Sequence, residues 1–113
     1  MNNTKVYGTA GEFKAKQFLQ QKKYIVLAMN YRTKMGEIDL IMKDKDTIVF
    51  VEVKARNTLA FGYPRESVTP QKQRKIQQIA QLYLMKTKNI NKPIRFDVVE
   101  ILGDNITHIE NAF

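Results

Sequence analysis

The chain has 113 residues and a mass of 13.2 kDa, the size of one domain over residues 1–113 that buries a little over ~60% of its unfolded surface. A hydrophobic fraction of 43% excludes a disordered chain, the absence of cysteine excludes disulfides and thiolate metal ligands, and no apolar run nears the ~20 residues of a membrane-spanning helix. Nineteen Lys and Arg against eleven Asp and Glu give a net charge of +8 and a pI near 9.8, which favours a polyanionic partner, although a membrane surface or an acidic protein also satisfies charge alone.

The residues after Met1 carry no apolar leader core, and with the lack of cysteine this fits a cytoplasmic protein. Thr9 can cap a first helix running to about Lys22, with Ala10, Phe13, Phe18 and Leu19 as its apolar contacts. Tyr24 to Met29 reads as a short apolar strand. Residues 36–42 and 47–54 are rich in Ile, Val, Leu and Phe and flank the polar Lys43-Asp44-Lys45-Asp46, so they read as an antiparallel hairpin. Residues 55–68 form the longest stretch without periodicity, and loops of that length are commonly functional. Thr69 and Pro70 read as N-cap and first position of a second helix, in which Ile76, Ile79, Ala80, Tyr83 and Leu84 recur on one face. Lys72, Arg74, Lys75 and Gln78 occupy the opposite face. Ile94, Phe96 and Val98 alternate with Arg95 and Asp97 in a fourth strand, where Asp97 is expected in a structural ion pair. Gly103-Asp104-Asn105 turns into a last strand from Ile106 to Ile109, and His108 within it receives no role. The order αβββαββ predicts an α/β fold: a mixed sheet flanked by helices on both faces.

The chemistry concentrates in the hairpin. A two-residue loop at Lys45 and Asp46 pairs Asp44 with Thr47 and sets Asp39 across from Glu52; a longer loop or a bulge would slip the register by one. Alternation puts Phe50, Glu52 and Lys54 on one face of their strand, opposite Val49, Val51 and Val53, and places Glu37, Asp39 and Ile41 together on theirs. Carboxylates set across a ladder repel unless a cation lies between them, and hard oxygen ligands suit Mg²⁺ or Mn²⁺. Lys54, about 6–7 Å along the strand from Glu52, is close enough to flank water held by such an ion. The bland reading of the same residues is a cross-strand charge cluster on a solvated face. No Gly-rich phosphate loop or activated Ser or Thr is present, which argues against an NTPase.

Asp39, twelve intervening residues and then Glu52-Val53-Lys54 resemble the acidic residue and Glu-x-Lys of the restriction-endonuclease-like nucleases, which include the archaeal Holliday-junction resolvases. Gly8-x-x-Gly11-Glu12, Asn30-x-Arg32, Gly36-Glu37-Ile38-Asp39-Leu40-Ile41, Val49-Phe50-Val51-Glu52-Val53-Lys54-x-Arg56 and Phe61-Gly62 resemble more closely the small bacterial proteins of the YraN-like (UPF0102) family. Ile38 stands where many nucleases of the superfamily have Pro. The resemblance implies a restriction-endonuclease-like core, cleavage leaving a 5′-phosphate, and an approach of Glu12 to the metal site; as Thr9-Ala10-Gly11-Glu12, the same residue fits a capping box. It also extends by analogy to a homodimer, since cutting two strands symmetrically needs two sites.

The leading expectation is therefore a Mg²⁺- or Mn²⁺-dependent endonuclease acting on DNA rather than RNA, branched or otherwise structured. Asp39, Glu52 and the Val53 carbonyl would hold the metal, with Lys54 and Glu12 completing the catalytic set. Arg56, Arg65, Lys72 and Lys75 are candidate nucleic-acid contacts, with Phe61 and Tyr63 able to stack on exposed bases. The alternative is a non-catalytic nucleic-acid-binding module of the same fold.

Overall fold

The computed structural model describes residues 10–56 and 68–113, apart from the side chain of Arg56. Helix α1 (Ala10–Gln21) is followed by strands β1 (Ile25–Thr33), β2 (Gly36–Asp44) and β3 (Thr47–Arg56), helix α2 (Pro70–Lys86), and strands β4 (Ile94–Leu102) and β5 (Asn105–Ile109). The order αβββαββ is the one expected for the restriction-endonuclease-like core. The strands form one mixed sheet in the order β1-β2-β3-β4-β5, parallel between β3 and β4 and antiparallel elsewhere. Only the β3 to β4 connection carries a helix between neighbouring strands, because a parallel pair needs a crossover where an antiparallel pair needs a turn.

Helices cover both faces, so the central strands are apolar on both sides. Leu40, Met42, Val49, Val51 and Val99 pack with Ala15 and Leu19 of α1. Ile38, Ile41, Ile48, Phe50 and Val98 pack with Ile76, Ile79, Ala80, Tyr83 and Leu84 of α2, the face the sequence spacing predicts. Tyr83 stands edge-on to both Tyr31 and Phe50, and Phe96 stacks between Phe50 and Phe113. Thr69 caps α2 by accepting the Lys72 N–H at 3.1 Å, with Pro70 at the first helical position, as expected.

Two sequence expectations need correction. The apolar contacts assigned to Ala10 and Phe13 are absent: Ala10 is exposed and Phe13 is 40% exposed, while Glu12, Ala15 and Leu19 form the buried stripe of α1. The i, i+3, i+7 spacing of these three puts a carboxylate on the inner face, where an apolar count does not look. Strand β1 also runs on past Met29 to Thr33, pairing with β2 as far as Thr33↔Gly36. Among the described residues, no helix is long and apolar enough to cross a membrane.

Candidate metal centre

The hairpin register from Asp44↔Thr47 to Leu40↔Val51 is the one a two-residue turn gives. Lys45 takes φ +57, the positive dihedral that such a tight turn requires. One further step would pair Asp39 with Glu52, but the ladder stops at Leu40. Beyond it β2 continues beside β1 while β3 continues beside β4 as far as Arg56↔Leu102, so the sheet forks.

A backbone irregularity sits at the fork. The β1–β2 ladder passes from Met29↔Leu40 to Tyr31↔Ile38, skipping Asn30 and Asp39, and Asn30 holds φ +49. Ile38 and Ile41, three residues apart, both pack on the α2 side, whereas Leu40 packs on the α1 side. Alternation therefore breaks at Asp39, although Glu37 and Asp39 still open on the α2 side that Ile41 packs against, in the cleft lined by Ile76 and Ile79. Released from the pleat, the Asp39 carboxylate turns toward β3, where Oδ2 accepts the Val53 N–H at 2.8 Å.

Four carboxylates converge around this point. Glu12, Glu37 and Asp39 each place a carboxylate oxygen within 4.8 Å of the others. Glu12 is 8% exposed and Glu52 3%, so water screens neither well. Two like charges ~5 Å apart repel by about 3 kcal/mol at an effective dielectric of ~20. Burial, and then the charge of Glu52, push the Asp39 carboxyl up to about 8; the Val53 amide opposes the shift and Glu12 adds to it. Burial raises Glu52 as well, against the ammonium groups of Lys72 and Lys54. Lys54 is lowered by burial and by Lys72 beside it, while Lys72, although partly buried, is raised by Lys54 and Glu52.

Neighbouring groups hold the carboxylates in place. Asn30 Nδ2 donates to Glu12 Oε1 at 2.9 Å, Arg32 Nε pairs with Glu37 Oε1 at 3.0 Å, and Lys72 Nζ lies 3.7 Å from Glu52 Oε1. Glu52 Oε2 and Asn30 Oδ1 are buried with no hydrogen-bond partner among the described residues. Buried acceptors left unpaired are costly unless a ligand supplies the missing partner. An all-oxygen donor set with an orphaned buried carboxylate oxygen fits a hard divalent cation such as Mg²⁺ or Mn²⁺. The site opens into a cleft of ≈ 410 Å³ between the β1–β2 turn and the start of α2, with Glu37, Asp39, Glu52, Thr69, Lys72 and Lys75 on its walls.

Of the residues singled out in the sequence, Asp39, Glu52, Val53, Lys54, Glu12, Lys72 and Lys75 thus gather at or beside one cleft. The side chain of Arg56, and all of Arg65, Phe61, Tyr63 and the Thr9 cap, lie outside the described residues. Sequence reasoning missed Glu37, although its i, i+2 spacing from Asp39 was a legible sign. It also missed Asn30 as a partner of Glu12 and Lys72 as a partner of Glu52, since both contacts join a helix to a strand and leave no periodic mark. His108, given no role, is built into a buried ion cluster with Asp97.

Comparison with known proteins covers most of the chain. The model of the Uncharacterised protein family UPF0102 matches residues 11–101. A UPF0102 protein of Clostridioides difficile is 49% identical over 113 residues, covering 98% of this chain and 99% of its own. One from Desulfosudis oleivorans is 47% identical over 115 residues, covering 100% and 94%, and one from Persephonella marina is 44% identical over 108 residues, covering 96% and 93%. The chain belongs to the UPF0102 family.

Proposed function

We propose that the protein is a metal-dependent endonuclease that hydrolyses phosphodiester bonds in DNA. The observation that carries this reading is the fork between β2 and β3, where half-buried Asp39 meets buried Glu52 with Lys54 and Lys72 against them. A surface made only to hold nucleic acid gains nothing from carboxylates facing phosphates. The net charge of +8 supplies the attraction that brings a polyanion to the cleft.

Asp39, Glu52 and the Val53 carbonyl would hold Mg²⁺ or Mn²⁺, with Glu12 and Glu37 beside Asp39. When bound, the ion supplies Lewis-acid polarisation of the scissile phosphate and lowers the pKa of a water molecule. The Val53 amide fixes the Asp39 carboxylate and leaves its other oxygen for ligation. Lys54 projects from the same strand face as Glu52 and stabilises the negative charge that grows on the phosphate oxygens during attack. Water oxygen bonds to phosphorus, the bond to the 3′ oxygen breaks, and a proton passes to that oxygen, leaving a 5′-phosphate and a 3′-hydroxyl.

The test is cleavage of duplex, flap and four-way-junction DNA with Mg²⁺ or Mn²⁺, with Asp39→Ala and Lys54→Ala as controls. Wild type should cut at least one substrate and stop on chelation, with each variant slower by on the order of 10²-fold or more. A wild type that never cuts, or variants that cut as well as wild type, would sink the proposal. Salt-sensitive DNA binding without cleavage would instead support the non-catalytic binding module.

A further inference from the structure

We infer that Lys72 is a built-in counter-cation: its ammonium occupies the charge vacancy at Glu52 in the metal-free protein, and a divalent ion must displace it to bind. The inference rests on the reading of Glu52 as a metal ligand and extends it from the ligands to what controls their occupancy.

Glu52 is 3% exposed, and a carboxylate buried to that degree needs a compensating charge. Lys54 approaches it from the same strand, two residues on. Lys72 approaches from the first turn of α2, with its Nζ 3.7 Å from Glu52 Oε1. Two ammonium groups beside one carboxylate are one more than neutrality at Glu52 requires. Lys72 is the cation that can leave. Its side chain is 42% exposed, so the displaced ammonium reaches water without a new burial penalty, and it stays on the wall of the cleft.

Position gives the displaced group a second use. Lys72 and Lys75 lie one helical turn apart on the cleft wall, so an ammonium released from Glu52 faces the same space as Lys75 and can meet a phosphate oxygen there. The same residue then opposes metal binding in the empty site and favours phosphate binding in the loaded one. Metal and DNA should therefore each bind more tightly in the presence of the other, because the ion removes Lys72 from Glu52 and the phosphate gives it somewhere to go.

Titration calorimetry of Mn²⁺ into wild type, Lys72→Met and Lys72→Arg without DNA tests this separately from cleavage, with circular dichroism and a melting curve confirming that each variant is folded. Lys72→Met should bind Mn²⁺ about tenfold more tightly than wild type, the size of a modest like-charge repulsion removed, and Lys72→Arg should stay within about twofold of wild type. In DNA binding measured with saturating Mn²⁺, Lys72→Met should lose the gain in affinity that the metal confers on wild type. Equal or weaker Mn²⁺ binding by a folded Lys72→Met overturns the inference, as does the absence of Mn²⁺ binding to every form. Tighter binding by Lys72→Met together with no DNA cleavage by wild type would sustain the counter-cation and remove the nuclease; cleavage by wild type with unchanged Mn²⁺ affinity in Lys72→Met would do the reverse.

Discussion

Two aspartates stand in the middle of the sheet, and they are treated in opposite ways. Asp97 in β4 is fully buried and saturated with donors. It receives Arg95 Nε at 2.9 Å, Arg95 Nη2 at 3.0 Å, His108 Nε2 at 2.6 Å and the Asn111 amide at 3.1 Å. Arg95 is held in turn by Tyr24 Oη at 2.6 Å and Asp44 at 3.3 Å. Although burial alone would raise it, the bonds from His108 and Arg95 bring the Asp97 carboxyl below the usual carboxylate range. Asp39 has one backbone amide and three neighbouring carboxylates, and its carboxyl is raised to about 8. Loss of water pushes both carboxyls up, so it does not separate them. The sign of the company does: a closed set of donors makes a structural joint, and an excess of acceptors makes a place for a cation.

The comparison breaks first at Asp97. Asp97→Ala leaves Arg95, His108 and the Asn111 amide without their buried acceptor, with only the more exposed Asp44 and Glu110 near the guanidinium, and should cost on the order of 3 kcal/mol, read as a lowered urea midpoint with an unchanged slope. The same kind of change at the fork should act in the other direction. Asp39→Asn keeps an acceptor for the Val53 amide and removes a repelled charge, so the metal-free protein should gain about 1–2 kcal/mol at pH 8 while losing its thermal stabilisation by Mn²⁺. Loss of metal-free stability in Asp39→Asn would show that the carboxylate is structural after all.

The two carboxyls also predict opposite limbs of one pH profile. Asp39 has a folded-state pKa raised from 3.8 to about 8, so its contribution is fully present below pH ~4 and is lost as pH rises toward 8. Asp97 is lowered, so its contribution is present above its unfolded value of 3.8 and is lost as pH falls through the folded one. Urea titrations of metal-free protein should show stability falling on both sides of a mildly acidic optimum. Asp39→Asn or saturating Mn²⁺ should flatten the alkaline limb and leave the acid limb in place.

Smaller changes sharpen the contrast. Tyr24→Phe removes the hydroxyl that accepts from Arg95 and should cost about 1 kcal/mol. Glu37→Gln should change stability by no more than about 0.5 kcal/mol, because its pair with Arg32 is largely solvated, yet it should weaken Mn²⁺ binding if Glu37 shares the ion with Asp39.

Most of the scaffold was legible because it follows from periodicity and turn chemistry. The inner face of α2, the Thr69-Pro70 start and the alternation of Val49, Val51 and Val53 against Phe50 all appear as the sequence spacing implies. Asp39, Glu52 and Lys54 were legible as a spacing. What gathers them was not, because the fork depends on Asn30 taking a positive φ and on two strands choosing different neighbours, neither of which leaves a periodic mark. Glu12 was ambiguous for a related reason: its place on the inner stripe of α1 shows only when a polar residue is allowed to count as part of that stripe. His108 and Asp97 meet through the β4–β5 pairing, with Lys22 Nζ 3.1 Å from His108 Nδ1, a contact across 86 positions of chain.

The fork also sets an order of assembly. Glu12, Glu37, Asp39 and Glu52 all lie between residues 10 and 56, on a helix and three strands joined by short connections, so their contacts close small loops. Lys72 arrives on the crossover helix, and β4 must return alongside β3 before the sheet is complete. During folding the four carboxylates can therefore collect with Lys54 as their near cation before Lys72 arrives, and an excess of carboxylates at that point would resist compaction. Divalent cations present at that stage would speed refolding as well as stabilise the product, a kinetic signature that stopped-flow mixing with and without Mn²⁺ would register.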